Sequence, residues 1–388
     1  MKPTAKLQSV NFPMLLVSLI LLFNSPVALA NESTSEINFV YSSDFLRNQR
    51  GGIKEASAYI DFATIELSHQ IQFESGLNIA FVGSLLYANG AKFSETIVGD
   101  AQGVSGSETG ANLKRVYESY VDLTAGKHSV LFGLFDTNTE FDVLESANLF
   151  VNAAHGMGNT LGSSGKNGPS TYPFPGLSLR YQYASEDFTV RTVFTDGVPE
   201  DNGQLDGLGL NLSSDEGYLH IVELELRQTR TKWLTGLWHY NKSELLDEDQ
   251  KTRSTGVYLR AEHTFEQIDG LTGFARIGSA SSDTNQFDKF FSVGLVKTGF
   301  FENRNEDQIG LAIAYAHLSE QSRRQPFSDM VELASAETNI ELTYSAKINH
   351  WLSIQPVIQW IKKPSALLQE QLSSKEALVV GIRTTIAF

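Results

Sequence analysis

The final segment LVVGIRTTIAF places Leu378, Val380, Ile382, Thr384, Ile386 and Phe388 on one side of an extended chain and Val379, Gly381, Arg383, Thr385 and Ala387 on the other. A repeat of two residues is the period of a strand, not of a helix. Segments with this alternation recur near 36–43, 57–73, 76–88, 113–124, 127–135, 175–184, 187–196, 218–228, 232–242, 253–265, 270–280, 286–299, 307–318, 336–348, 351–362 and 377–388, about 16 in all. Their connections alternate in length. Short ones include Glu74-Ser75-Gly76, Ala125-Gly126, Ser185-Glu186, Thr229-Arg230-Thr231 and Asn349-His350, and long ones include 89–112, 136–174, 197–217, 319–335 and 363–376. An all-β, antiparallel up-and-down barrel in an outer membrane has this layout, with tight turns at one end and long loops at the other. Closure leaves no strand edge unpaired, which hydrocarbon requires because it offers nothing to hydrogen-bond a free backbone group.

Individual strands show which face meets lipid. In LSLRYQY, Leu177, Leu179, Tyr181 and Tyr183 oppose Ser178, Arg180 and Gln182; in VYLRAEH, Val257, Leu259 and Ala261 oppose Tyr258, Arg260 and Glu262. An arginine turned to lipid at the bilayer midplane costs roughly 2–4 kcal/mol, so the charged faces line a wet lumen. Leu378 to Phe388 then face lipid and Arg383 faces water. Aromatics near strand ends, such as Tyr87, Tyr183, Trp238, Tyr240 and Trp360, are expected in the interfacial girdles.

The N-terminus supplies the route to that membrane. Lys2 and Lys6 precede the apolar run MLLVSLILLF, and Ala28-Leu29-Ala30 presents small residues where a signal peptidase reads. Residues 1–30 therefore read as a cleaved Sec-type signal peptide and 31–388 as the barrel domain. The run is too short for a spanning helix, which needs about 20 apolar residues. Loss of the two lysines takes the formal charge from −15 to −17. So acidic a chain lacks the basic surface that nucleic-acid binding needs, and the acid excess predicts a cation-selective pore. The chain has no cysteine, hence no disulfide framework.

The connection 136–175 follows the fifth strand and is longer than an unstructured loop usually runs. Phe141, Val143, Leu144, Leu149, Phe150 and Val151 ask for burial, and the lumen is where a wide barrel can provide it. Such a segment narrows the channel and presents Glu140, Asp142 and Glu145, which could alternatively only cap short helices. The inferred lumen faces carry both signs of charge, on Glu118, Asp122, Arg180, Arg191, Glu223, Glu225, Arg227, Arg260, Glu262, Arg276, Glu341 and Arg383, with Gln355 and Gln359 as neutral partners. Polar groups of this kind suit a path for small hydrophilic solutes; each could instead be a salt bridge bracing the wall. Enzymatic signals are weak: no HExxH or GxSxG occurs, Thr160 stands where a phosphate loop needs its first glycine, and the eight histidines lack metal-ligand spacing. No cofactor or metal is expected.

The blocks SETIVGDAQGVSG, KRVYESYVDL, LFGLFDTNTEFDVLESANLFVNAAHGMGNTL, KNGPSTYPFPGLSLRYQY and FTDGVPED, then TGFFENRNEDQIGLAIAY, ETNIELTYSAKINHWLSIQPVIQWIKKP and ALVVGIR, resemble the OprB-type carbohydrate-selective porins across nearly the whole mature chain. The resemblance implies an outer-membrane barrel of about 16 strands that passes mono- or small oligosaccharides by diffusion, with the loop after strand five folded inward. By position it also matches Arg115, Asp136 and Asn138, and of all these the solute path is assigned to Arg115, Glu118, Glu140, Asp142, Arg180, Arg191, Glu341, Gln355, Gln359 and Arg383. Leu134 and Thr137 depart from the expected polar residue and proline. The terminal Phe388 is similar to the signal that such barrels present to their assembly machinery. A non-selective general porin shares every structural expectation, and an enzyme or adhesin on the same barrel is the third reading. Whether the barrel is a homo-oligomer is left open.

Overall fold

The computed structural model describes residues 30–199, 206–207, 217–242, 253–324, 334–365 and 374–388; the expected signal peptide 1–30 lies outside them but for its last residue. Seventeen strands run in chain order: β1 Ala30–Gly52, β2 Ser57–Phe73, β3 Leu77–Ala88, β4 Leu113–Ala125, β5 His128–Phe135, β6 Gly176–Ala184, β7 Phe188–Asp196, β8 Asp206–Gly207, β9 Tyr218–Arg227, β10 Thr231–Tyr240, β11 Thr255–Thr264, β12 Leu271–Ala280, β13 Phe287–Thr298, β14 Gln308–Leu318, β15 Ala336–Lys347, β16 Leu352–Lys362 and β17 Ser374–Ala387. All but β8 pair antiparallel with their neighbours, β7 pairs directly with β9, and β17 returns to β1. The result is a closed 16-stranded barrel. β8 is an addition of two residues inside the expected connection 197–217, pairing parallel with Lys114 and Arg115.

Fourteen of the expected strands agree with the structure to within a residue or two at each end. The first is corrected most: it spans Ala30–Gly52, not 36–43. Its flanks carry polar residues on both faces, which hides the alternation, yet Leu46 is buried inside the barrel while Phe45 is exposed outside. The last begins at Ser374 rather than 377.

Alternation survives where lipid and lumen differ most. On β14, Leu311, Ile313 and Tyr315 are exposed, whereas Ala312, Ala314 and Ala316 are buried. Tyr87, Tyr183 and Trp360 sit at the outer surface as expected. Trp238 and Tyr240 do not: both are fully buried inside, packed with Phe141 and Leu161. Their inward position follows from β10, where Leu237 is exposed and so sends its even-numbered neighbours to the lumen. At the short-turn end, Gly76 and Gly126 adopt φ of 81° and 58°, a left-handed conformation that a side chain resists.

Candidate functional site: two loops that narrow the lumen

The segment after β5 folds into the barrel as expected. It is built from short helical turns, Thr137–Thr139, Glu145–Leu149, Ala153–His155 and Asn159–Gly162. Asp136 ties its two ends, accepting from the amides of Asn138 at 2.7 Å and Tyr172 at 3.1 Å and from the Tyr117 hydroxyl. Leu144, Leu149 and Phe150 pack on Phe274, Val296 and Ala312 of β12 to β14. The wall makes room with small residues: a Cβ on Gly310 would stand 2.7 Å from Leu149 and 2.8 Å from Phe150.

A second loop enters the lumen, which the sequence reading did not assign there. Residues 89–112 carry Phe93, Ile97, Val98 and Val104 against Leu46, Ile60, Val357, Ile361 and Val379 of β1, β2, β16 and β17, with Val151 of the first loop joining them. Its apolar residues are the same kind of signal that placed 136–175 inside, but they are dispersed among serines and glycines.

Carboxylates on the lumen wall fasten both loops by their backbones. Glu118 accepts from the Asp136 amide at 3.0 Å, Glu223 from Asp142 at 3.0 Å, and Glu262 from Ser146 at 2.7 Å. Glu341 accepts from Val151 at 2.7 Å and Asn152 at 2.9 Å, and Glu337 from Ala101 at 2.9 Å and Gln102 at 3.0 Å. Irregular turns leave amides that no ladder satisfies, and an ionised acceptor makes the stronger bond to them. Gln359 joins the two loops, donating to the Val104 carbonyl at 2.8 Å and accepting from Asn152 at 3.2 Å. Gln355 donates to the Leu149 carbonyl at 2.6 Å.

The arginines complete this scaffold. Arg180 bridges Asp122 at 2.8 Å and Glu140 at 2.9 Å. Arg191 and Arg260 both pair with Glu223, at 2.8 and 2.9 Å, and Arg276 holds Asp142 at 3.0 Å. Arg276 also donates to the Asp142 carbonyl at 2.6 Å and that of Gly156 at 3.0 Å. Arg115 is buried with its guanidinium 4.9 Å from the Phe174 ring. Burial pushes the Asp142 and Glu140 carboxyls up, opposed by Arg276 and Arg260 for the first and by Arg180 and Arg191 for the second. His155, between Phe150 and Phe274, is pushed down to about 3 by burial and then by Arg276.

Between the loops and the β1, β2, β16 and β17 wall lies a cavity of about 620 Å³. Its surface is mostly neutral and hydrogen-bonding, including Ser42, Gln102, Ser107, Asn138, Asn152, Asn159, Thr171 and Thr385, with Phe62, Phe150 and Tyr172 as aromatic elements. Among the described lining residues Arg383 alone is charged. It is already matched: two guanidinium nitrogens meet the two oxygens of buried Asp44 at 2.6 and 2.7 Å.

The model of the carbohydrate-selective porin family, OprB, matches residues 80–388. The chain belongs to the OprB family. Porin B of Pseudomonas aeruginosa is 30% identical over 139 residues, 32% of this chain and 30% of that protein, so the match spans less than a third of the curated relative. The high-pH structure of Pseudomonas putida OprB superposes with a TM-score of 0.74 over 91% of this chain and 94% of that one, at 18% identity. A triple mutant of Rhodopseudomonas blastica porin gives a TM-score of 0.57, covering 92% and 100% of the two chains at 8% identity. At these identities the solved structures show the shared barrel fold.

In this OprB-family barrel the ten residues assigned to the solute path divide by position. Gln355 and Arg383 line the cavity. Glu118 and Glu341 hold loop amides, Gln359 holds loop carbonyl and side-chain groups, and Glu140, Asp142, Arg180 and Arg191 form the ion-pair network that anchors the first loop. Arg115 packs beside the loop's far end. The lining residues Phe62, Gln102, Ser107, Asn159 and Tyr172 were not singled out from sequence; apart from Phe62 they lie on loops or, for Asn159, on a single helical turn, where no strand periodicity marks a lumen face. Among the described residues no group of three or more His, Cys, Asp or Glu is placed to hold a metal ion.

Proposed function

We propose that this porin passes mono- and small oligosaccharides passively through the cavity between its two inward loops. The supporting observation is the neutrality of the lining: amides and hydroxyls surround a passage whose one described charge, Arg383, is matched by Asp44. A sugar sheds water most easily against groups that replace its hydrogen bonds without ordering a counter-ion. The wall carboxylates contribute indirectly by fixing the loops, and Gln355 and Arg383 touch solute directly.

The test is single-channel conductance of the refolded protein in a planar bilayer, titrated with glucose, maltose and a size-matched non-sugar polyol. Saturable block by the sugars supports the reading; indifference to all three leaves a general diffusion pore. Reversal potentials in a salt gradient test the cation preference expected from the acid excess, and anion preference would remove it.

The same reading has residues 1–30 removed as a signal peptide and Phe388 presented to the assembly machinery before the barrel closes. In its support, Phe388 is 69% exposed at the outer surface and stacks only lightly, with ring centroids 6.2 Å from Phe39 and 6.0 Å from Trp351. Mass measurement of the mature protein checks the first point, and insertion efficiency of a chain lacking Phe388 the second.

A further inference from the structure

We propose that Phe62 and Tyr172 form a platform for the flat C–H face of a pyranose ring, whose hydroxyl edge turns to Ser42, Ser107, Thr385 and Arg383. The inference rests on the carbohydrate reading and adds to it a place and a selection rule, ring over open chain.

The register assembles one half of this site. Across β2, β1 and β17, Phe62 stands opposite Ser42 and Ser42 opposite Thr385, so the three side chains form one row on the lumen face. Directly opposed residues are close enough to act together on one ligand. Two residues further along β1, Asp44 stands opposite Arg383 and fixes its guanidinium. The loops supply the other half. Ser107 receives Arg383 on its hydroxyl at 3.0 Å and the Tyr172 hydroxyl on its carbonyl at 3.2 Å, so the charged group and the second ring converge on one residue.

The two rings are 5.7 Å apart and inclined by 58°. They are held from behind by Leu86, Ala88 and Leu113, and from the side by Tyr117, 6.0 Å from Tyr172. Both are partly exposed and line the cavity. Packing needs do not account for this, since aromatic surface facing a wet passage is unfavourable unless something apolar covers it. A pyranose is apolar on its ring faces and polar around its edge, which matches an aromatic floor bordered by hydroxyls and a guanidinium. An acyclic polyol has the hydroxyls but no flat face.

The experiment compares block by glucose and by sorbitol in single channels of the wild type and of Phe62→Leu, Phe62→Tyr and Tyr172→Phe. Each variant is read as its own ratio of the two dissociation constants, which cancels changes in pore size, and barrel folding is confirmed by heat-modifiable migration. Phe62→Leu keeps bulk and loses the ring, so the preference for glucose should fall about tenfold. The two aromatic replacements should retain it. A preference unchanged in Phe62→Leu overturns the platform and leaves the sugar channel standing. Absence of sugar block in the wild type overturns both.

Discussion

The Glu341 carboxylate receives the amides of Val151 and Asn152 at 2.7 and 2.9 Å, joining a barrel strand to the turn of a loop 190 residues away in sequence. Each oxygen has one amide, so the group acts as a two-point clamp. Glu341→Gln replaces one acceptor with a donor that faces another donor. The expected cost is about 1–3 kcal/mol, the usual penalty for a buried group left unsatisfied. It should appear as a lower unfolding temperature and greater open-channel current noise; a variant as quiet and as stable as wild type would show that the clamp does not hold the loop.

Asp44 is fully buried, and its partner Arg383 sits on the other side of the strand seam. Removing either partner leaves the other charge without its match, at a cost of about 3–5 kcal/mol. Asp44→Asn and Arg383→Gln should each be strongly destabilising, and the double variant less so than their sum. Strict additivity in the double-mutant cycle would contradict a coupled pair.

His155 carries a pH dependence of defined sign. Free, its ring takes a proton near 6.5; in the folded loop burial lowers that to about 3. The unfolded loop therefore binds the proton first on acidification. Stability from this group is full above pH 6.5 and declines toward pH 3 by about 1.4 kcal/mol per pH unit. Glu108 works in the opposite direction, because burial raises its carboxyl from 4.5 to about 7, and the stability it contributes is lost as pH rises through that window. The comparison that isolates the histidine is wild type against His155→Leu, melted at pH 7 and pH 4.5. The wild type should lose more on acidification, and equal losses would remove His155 as the cause.

Gly310 lies under the loop where Leu149 and Phe150 press on the wall. A Cβ there meets Leu149 and Phe150 inside 3 Å, and both are side-chain ends that can move only toward the cavity or within the cluster. Gly310→Val should cost about 1–3 kcal/mol of overpacking and reduce conductance by pushing the loop inward. Unaltered conductance would place the relaxation within the apolar cluster instead.

The barrel was legible because two solvents act on every strand. Leu259 meets lipid and Arg260 meets the lumen, and no shift of register could exchange them without placing a charge in hydrocarbon. The loop 136–175 was legible from its apolar residues, and the alternating Gly310, Ala312, Ala314 and Ala316 mark the wall on which it rests. The roles of the lumen acids were not legible. Glu118, Glu262, Glu337 and Glu341 bind backbone amides, which nearly every residue carries, so nothing in the side-chain sequence names Val151 as the partner of Glu341. Trp238 and Tyr240 were misplaced because an aromatic near a strand end suits either interface or core, and only the parity of β10 separates the two.

The seam between β1 and β17 has a consequence for the order of construction. Asp44 and Arg383 meet only when the two ends of the chain come together, and Ser105 and Ser107 of the second inward loop bind to that same pair. The second inward loop is thus fully anchored only when the ring is closed. Until the ends join, the loop keeps its ties to Glu337 and Gln359 but lacks the Asp44–Arg383 anchor, so the passage is held at its full narrowness only in a completed ring.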